Sequence, residues 1–289
     1  MPDWSAIYDQ LEGAGLALQR DSAPSPVTGG DISAAWRLKT VSGDLFVKTS
    51  QPQFHDMYAA EADGLREISA TNTVAAPHVL AVGKTDADAF LVLEWLELTA
   101  PCKTAAARLG ALLAEMHRDK QAYFGWHRDN TIGLTPQSNT PCDNWCEFFA
   151  EQRLSVQLRL AAENGHTGKL QEDGERLLRR LPLFLDDAAR GASLLHGDLW
   201  GGNWAAHGGQ PVIFDPASYY GDRESDLAMT RLFGGFDQSF YRAYQSAWPL
   251  DAGHEERQDL YQLYHVLNHL NLFGGAYFNQ ALGLIKRLL

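Results

Sequence analysis

The sequence predicts an α+β fold in two lobes, a β-rich N-terminal lobe over residues 1–97 and a helical C-terminal lobe over residues 98–289. Three observations predict it. Strand-like alternation is concentrated in the first hundred residues. Helical periodicity fills almost all of the second half. A polar loop between short apolar runs, from Leu194 to Pro216, interrupts that helical half. A chain of 289 residues can bury one large core or two modest ones.

The elements read in order as follows. Trp4, Ile7, Tyr8, Leu11 and Leu16 give helical spacing over residues 3–19, weakened by Gly13 and Gly15. Asp21 to Pro26 is a Ser/Pro break. Three antiparallel strands are expected at 27–33, 34–40 and 45–49, with Gly29-Gly30 in the first turn region and Ser-Gly-Asp in the second. Adjacent glycines let backbone N–H groups approach phosphates, although most such pairs are plain hairpin turns. Lys48 ends the third strand, placed to meet the α- and β-phosphates of a nucleotide. A helix at 54–70 follows, and Glu61 in its middle is the candidate partner of Lys48, with Asp63 and Glu67 competing.

Residues 90–96 form a buried strand and lead out of the small lobe. Backbone groups near Glu94 and Leu96 are the candidates to face an adenine edge. A helix is expected at 104–120, a polar loop at 123–140, and helices at 143–163 and 168–189. A loop as long as 123–140 is uncommon without a function. Asp222 or Ser225 is placed to cap a helix running to Phe233. Asp226 is placed instead to point back and brace the catalytic loop through backbone N–H groups. Helices at 237–247, 255–272 and 276–289 complete the chain.

The loop reads His196-Gly197-Asp198-Leu199-Trp200-Gly201-Gly202-Asn203, then Val212-Ile213-Phe214-Asp215-Pro216. A lone His-x-Asp is ordinarily a turn with a satisfied histidine. The full constellation has a mechanical meaning in a phosphotransferase. Asp198 accepts the proton of an attacking hydroxyl, and Asn203 and Asp215 hold magnesium against the phosphates. Magnesium is a hard cation, and a carboxylate with a side-chain amide offers it oxygen.

Composition narrows the partners. A net charge of −12 argues against nucleic acid or an anionic membrane, but not against ATP. Three cysteines, Cys102, Cys142 and Cys146, predict reduced thiols and a cytoplasmic setting. Cys142 and Cys146 lack a second pair at zinc-site spacing, so they are expected to pack on a helix face. The N-terminal residues predict no signal peptide. No window reaches the ~18 apolar residues of a membrane span.

With these residues in place, the chain resembles the fructosamine kinase (ketosamine-3-kinase) family of the aminoglycoside-phosphotransferase and choline-kinase group. LLHGDLWGGN at 194–203, FDPASYY at 214–220 and LFGGF at 232–236 bear most of the resemblance. FGWH at 124–127, Gln152-Arg153-Leu154 and YQLYHVLNHL at 261–270 also fit. The resemblance implies a protein-kinase-like fold, with ATP and Mg2+ bound between the lobes. It implies Asp198 as catalytic base, Asn203 and Asp215 as metal ligands, and Lys48 with Glu61 as the phosphate-orienting pair. It further implies that Trp200 packs against the sugar of a ketosamine acceptor, the alternative being packing beneath the loop, and His196 joins it in contacting substrate. The acceptor hydroxyl is then O3 of a fructosamine or ribulosamine. Some relatives carry a redox-linked cysteine in the Gly-rich loop; here that position is Asp31, so no thiol switch is expected there. The rivals are a kinase for an aminoglycoside or choline-like compound, and a nucleotide-binding regulator without catalysis.

Overall fold

A computed structural model describes residues 1–28, 33–185 and 191–289. Gly29, Gly30 and Asp31 of the expected glycine loop lie outside the described residues. Helix α1 (Trp4–Gly13) is followed by β1 (Ser25–Val27), β2 (Ala34–Thr40), β3 (Gly43–Ser50), α2 (His55–Ala70), β4 (Val79–Lys84) and β5 (Ala89–Glu94). The five strands form one antiparallel sheet in the order β1-β2-β3-β5-β4. Period-2 alternation gives β3 two different faces. Leu45 and Val47 pack with Leu38, Phe90 and Val92 against Ile7, Tyr8 and Leu11 of α1. Phe46 and Lys48 therefore point the other way, into a cleft.

Helix α1 is shorter than the periodicity suggests. The side chain of Asp3 accepts from the Ala6 N–H at its start, and the helix stops at Gly13, two residues before Gly15 turns with φ +89°. Strand β1 begins within the expected Ser/Pro break, and β5 ends at Glu94 instead of Leu96.

The second part is mostly helical. It comprises β6 (Leu98–Thr99), α3 (Lys103–Met116), β7 (Lys120–Gln121), β8 (Asn130–Ile132), β9 (Thr135–Gln137), α4 (Trp145–Phe149), α5 (Ser155–Glu163) and α6 (Lys169–Leu178). Then come β10 (Ala192–Leu195), β11 (Trp204–His207), β12 (Gln210–Ile213), β13 (Tyr219–Gly221), α7 (Glu224–Leu232), α8 (Gln238–Ala247), α9 (His254–Phe273) and α10 (Ala276–Leu288). A single large core joins α2 and the cleft-side strand residues to these helices.

Three expectations for this part need correction. The stretch 123–140 is not loop throughout, because β8 and β9 pair as a hairpin. The helix expected at 143–163 carries a π-helical turn at Ala150–Leu154, whose fully buried Arg153 stacks on Tyr219 and Phe148. The helix expected at 168–189 ends at Leu178 and gives way to a 3-10 turn around Pro182, whose ring cannot continue an α-helix; residues 186–189 of that expectation lie outside the described residues.

Helices α3 and α8 meet at Gly110, where a Cβ would lie 2.2 Å from the Phe240 carbonyl oxygen. Backbone cannot yield as a side chain can. Gly110→Ala is therefore expected to destabilise the fold by about 2–3 kcal/mol, read as a lower urea midpoint at unchanged m-value.

Candidate active site

The site starts from β3 and α2. Lys48 Nζ lies 2.7 Å from Glu61 Oε1 and 2.7 Å from Asp215 Oδ1. The competing acids are engaged elsewhere. Asp63 pairs with Arg128 at 2.7 Å, and Glu67 accepts from Trp126 Nε1 and from the Tyr220 hydroxyl. Burial pulls the Lys48 pKa down, but the carboxylates of Asp215 and Glu61 outweigh it and hold the ammonium above its usual range.

The other half comes from the turn after β10. The backbone N–H groups of His196 and Gly197 donate to the two carboxylate oxygens of Asp226, at 2.7 and 2.8 Å. Asp226 is buried in α7, and His117 Nε2 lies 3.1 Å from it. Burial alone would raise the Asp226 pKa; His117 and the Gly197 N–H outweigh that and lower it. Asp226 thus braces the loop from within α7. Gly197 has φ +83°, and a Cβ there would lie 2.1 Å from the Ala217 carbonyl oxygen. Only glycine lets the chain cross segment 214–217 so closely.

His196 requires a correction. Its side chain is fully buried, and Nε2 lies 3.0 Å from the Phe214 carbonyl oxygen. Nε2 must carry the proton, so Nδ1 accepts from the Asp198 N–H at 3.3 Å. With both nitrogens spent inside the loop, His196 has no surface to offer a substrate; it ties the loop to Phe214 instead.

Asp198, Asn203 and Asp215 line one cavity of about 980 Å3 together with Lys48, Glu61, Glu94, Leu96 and Trp200. Asn203 Nδ2 donates to the Asp198 carbonyl at 2.8 Å, and among the described residues nothing donates to its Oδ1. Asp215 has φ +58°, a left-handed conformation that is uncommon off glycine and concentrated at functional sites. A carboxylate and an amide oxygen turned into one cavity form the hard donor set that Mg2+ takes, so these residues fit that ion. Burial, followed by the charges of Asp215 and Asp226, pushes the Asp198 carboxyl up to about 7. The Glu94 N–H is already given to the His78 carbonyl. Trp200 is 41% exposed and folds over Gly202, where a Cβ would lie 2.2 Å from the indole.

The fructosamine kinase family model matches residues 3–289. The chain belongs to the fructosamine kinase family. A "Probable ketoamine kinase" of Synechocystis is 42% identical over 288 residues, covering 99% of this chain and 97% of the relative. The chloroplastic protein-ribulosamine 3-kinase of Arabidopsis thaliana is 39% identical, over 90% of this chain and 80% of its own. A crystal structure designated as a fructosamine-3-kinase, from Haemophilus somnus, superposes with a TM-score of 0.90 at 27% identity, covering 99% and 97% of the two chains. An ADP-bound aminoglycoside phosphotransferase superposes with a TM-score of 0.68 over 98% and 99%; at 14% identity it shows only that this is a kinase-like fold.

Sequence reasoning missed the partners behind these residues. His117 and Tyr244, joined at 2.8 Å, back Asp226 from α3 and α8. Asn130 and Gln137 of the β8–β9 hairpin donate to the carbonyls of Ser218 and Ala217, just after Asp215. A clue was available: 123–140 was too long for a plain connection, and it is dense in amides.

Proposed function

We propose that this member of the fructosamine kinase family transfers the γ-phosphoryl group of ATP to O3 of a ketosamine, a sugar joined through a secondary amine to a small molecule or a protein. The observation that supports this best is the convergence of Asp198, Asn203, Asp215 and the Lys48–Glu61 pair on one cavity. The ketoamine and ribulosamine kinases among its relatives support the acceptor class. A cytosolic setting belongs to the same reading, supported by the cysteine usage.

In this reading Lys48, oriented by Glu61, exchanges its bond to Asp215 for the nucleotide phosphates. Asp215 and Asn203 present oxygens to Mg2+, which neutralises charge on the phosphates. The Asp198 carboxylate orients the O3 hydroxyl and accepts its proton as the oxygen attacks in line. Backbone at Glu94 and Leu96 faces the adenine, Gly29 and Gly30 approach the phosphates, and Trp200 covers the sugar.

NMR of the product of fructosyl-lysine and ATP is expected to place phosphate on O3. Phosphate on any other hydroxyl would refute the assigned position. The base must be ionised to work. Because the Asp198 pKa lies above the ordinary carboxylate value, the active form is lost as pH falls through it. Bound Mg2+ relieves repulsion from Asp215, so kcat/KM for the acceptor should decline tenfold per pH unit below an inflection at or under about 7. A profile that stays flat from about pH 8 down to the ordinary carboxylate value of about 4 would contradict the assignment.

A further inference from the structure

His269, on α9, lines the same cavity as Asp198. Its Nδ1 lies 2.8 Å from the His265 carbonyl oxygen, so Nδ1 holds the proton and donates. Nε2 is left with a lone pair, and no described residue hydrogen-bonds it. Burial keeps the imidazole pKa below its ordinary value, so the ring is neutral near pH 7. Three aromatic rings surround it: Phe233 at 4.7 Å, Tyr277 at 5.2 Å and Phe273 at 5.6 Å between centroids. Phe233 and Phe273 are 38% and 59% exposed, a poor position for apolar rings with nothing to cover them.

This wall adjoins the catalytic turn. A Cβ on Gly201 would lie 2.9 Å from the Gly234 carbonyl oxygen, so the backbone after Phe233 presses on the backbone after Trp200. A neutral acceptor walled by aromatic faces suits a donor with positive charge. The ring faces attract a cation, and the lone pair takes its N–H. The nitrogen of a ketosamine is such a donor, a secondary amine protonated near neutral pH and only a few bonds from O3. A net charge of −12 favours its approach.

We infer that His269 Nε2 accepts a hydrogen bond from the protonated nitrogen of the acceptor, with Phe233, Phe273 and Tyr277 facing that cation, and that this cluster selects amine-linked ketoses over oxygen-linked ones. The inference rests on the ketosamine reading above. Its test compares fructosyl-lysine with an analogue in which an ether oxygen replaces the amine. The wild-type protein prefers the amine. His269→Phe keeps a ring and removes the acceptor, and it lowers that preference about tenfold, chiefly through KM for fructosyl-lysine. His269→Gln retains an acceptor oxygen and recovers part of the loss. Phe273→Leu, at an exposed position, lowers the preference severalfold and serves if His269→Phe does not fold. An unchanged preference in the folded variants, or no preference in the wild type, overturns the inference. Failure of the wild type to phosphorylate either ketose strikes at the ketosamine reading itself and takes this inference with it.

Discussion

Asp198→Asn is expected to lower phosphoryl transfer about 10³-fold or more while ATP still binds with near-normal affinity. The asparagine fills the same space, and Asn203 Nδ2 keeps its bond to the backbone carbonyl of residue 198. What disappears is the carboxylate proposed to accept the hydroxyl proton, and general-base catalysis of this kind contributes about 10²–10⁴-fold, with positioning adding more. The same variant should be the more stable protein. Above about pH 7 Asp198 is ionised in the folded chain against burial and against Asp215 and Asp226, and its folded pKa exceeds its unfolded one. Its ionisation thus costs stability above about pH 7, a cost that vanishes below the unfolded value near pH 4. Removing it should raise stability by about 1–2 kcal/mol at pH 8, seen as a higher Tm. Turnover unchanged from wild type would remove Asp198 from the mechanism.

Asp226→Ala is expected to damage both fold and activity. The Asp226 carboxylate takes the N–H groups of His196 and Gly197 and faces His117 Nε2, all buried. Alanine leaves these polar groups without a partner or water, which should cost about 3–5 kcal/mol in chemical denaturation. The turn they hold carries Asp198, so kcat should fall in the protein that remains folded. Asp226→Asn supplies one acceptor for two donors and should fall between. Loss of activity without loss of stability would mean that Asp226 acts at the substrate and not as a brace.

The sequence made the strand-rich start, the helical remainder and the cavity's charged residues legible, for physical reasons. Alternation in β3 puts Lys48 opposite the apolar face that packs on α1, and helical spacing puts Glu61 within reach. Asp198, Asn203 and Asp215 lie close together in the chain, so one tight turn and the β11–β12 hairpin bring them together. The residues that were misread depend on distant contacts. His196 looked available because a histidine beside a catalytic aspartate often is, and only the fold reveals Phe214 against its Nε2. Glu61 stood level with Asp63 and Glu67 until Arg128, Trp126 and Tyr220 claimed the other two. Helix ends at Gly13 and Leu178 were set by local turn chemistry that periodicity does not register.

One measurement tests the central claim most directly: ADP release by the wild-type protein with fructosyl-lysine, ribulosyl-lysine, psicosyl-lysine, choline and kanamycin as acceptors. The account predicts turnover confined to the ketosamines. Turnover of choline or kanamycin in their place would contradict the acceptor while leaving Asp198 and the kinase-like fold in place. ATP binding with no turnover of any acceptor would contradict the kinase reading as a whole.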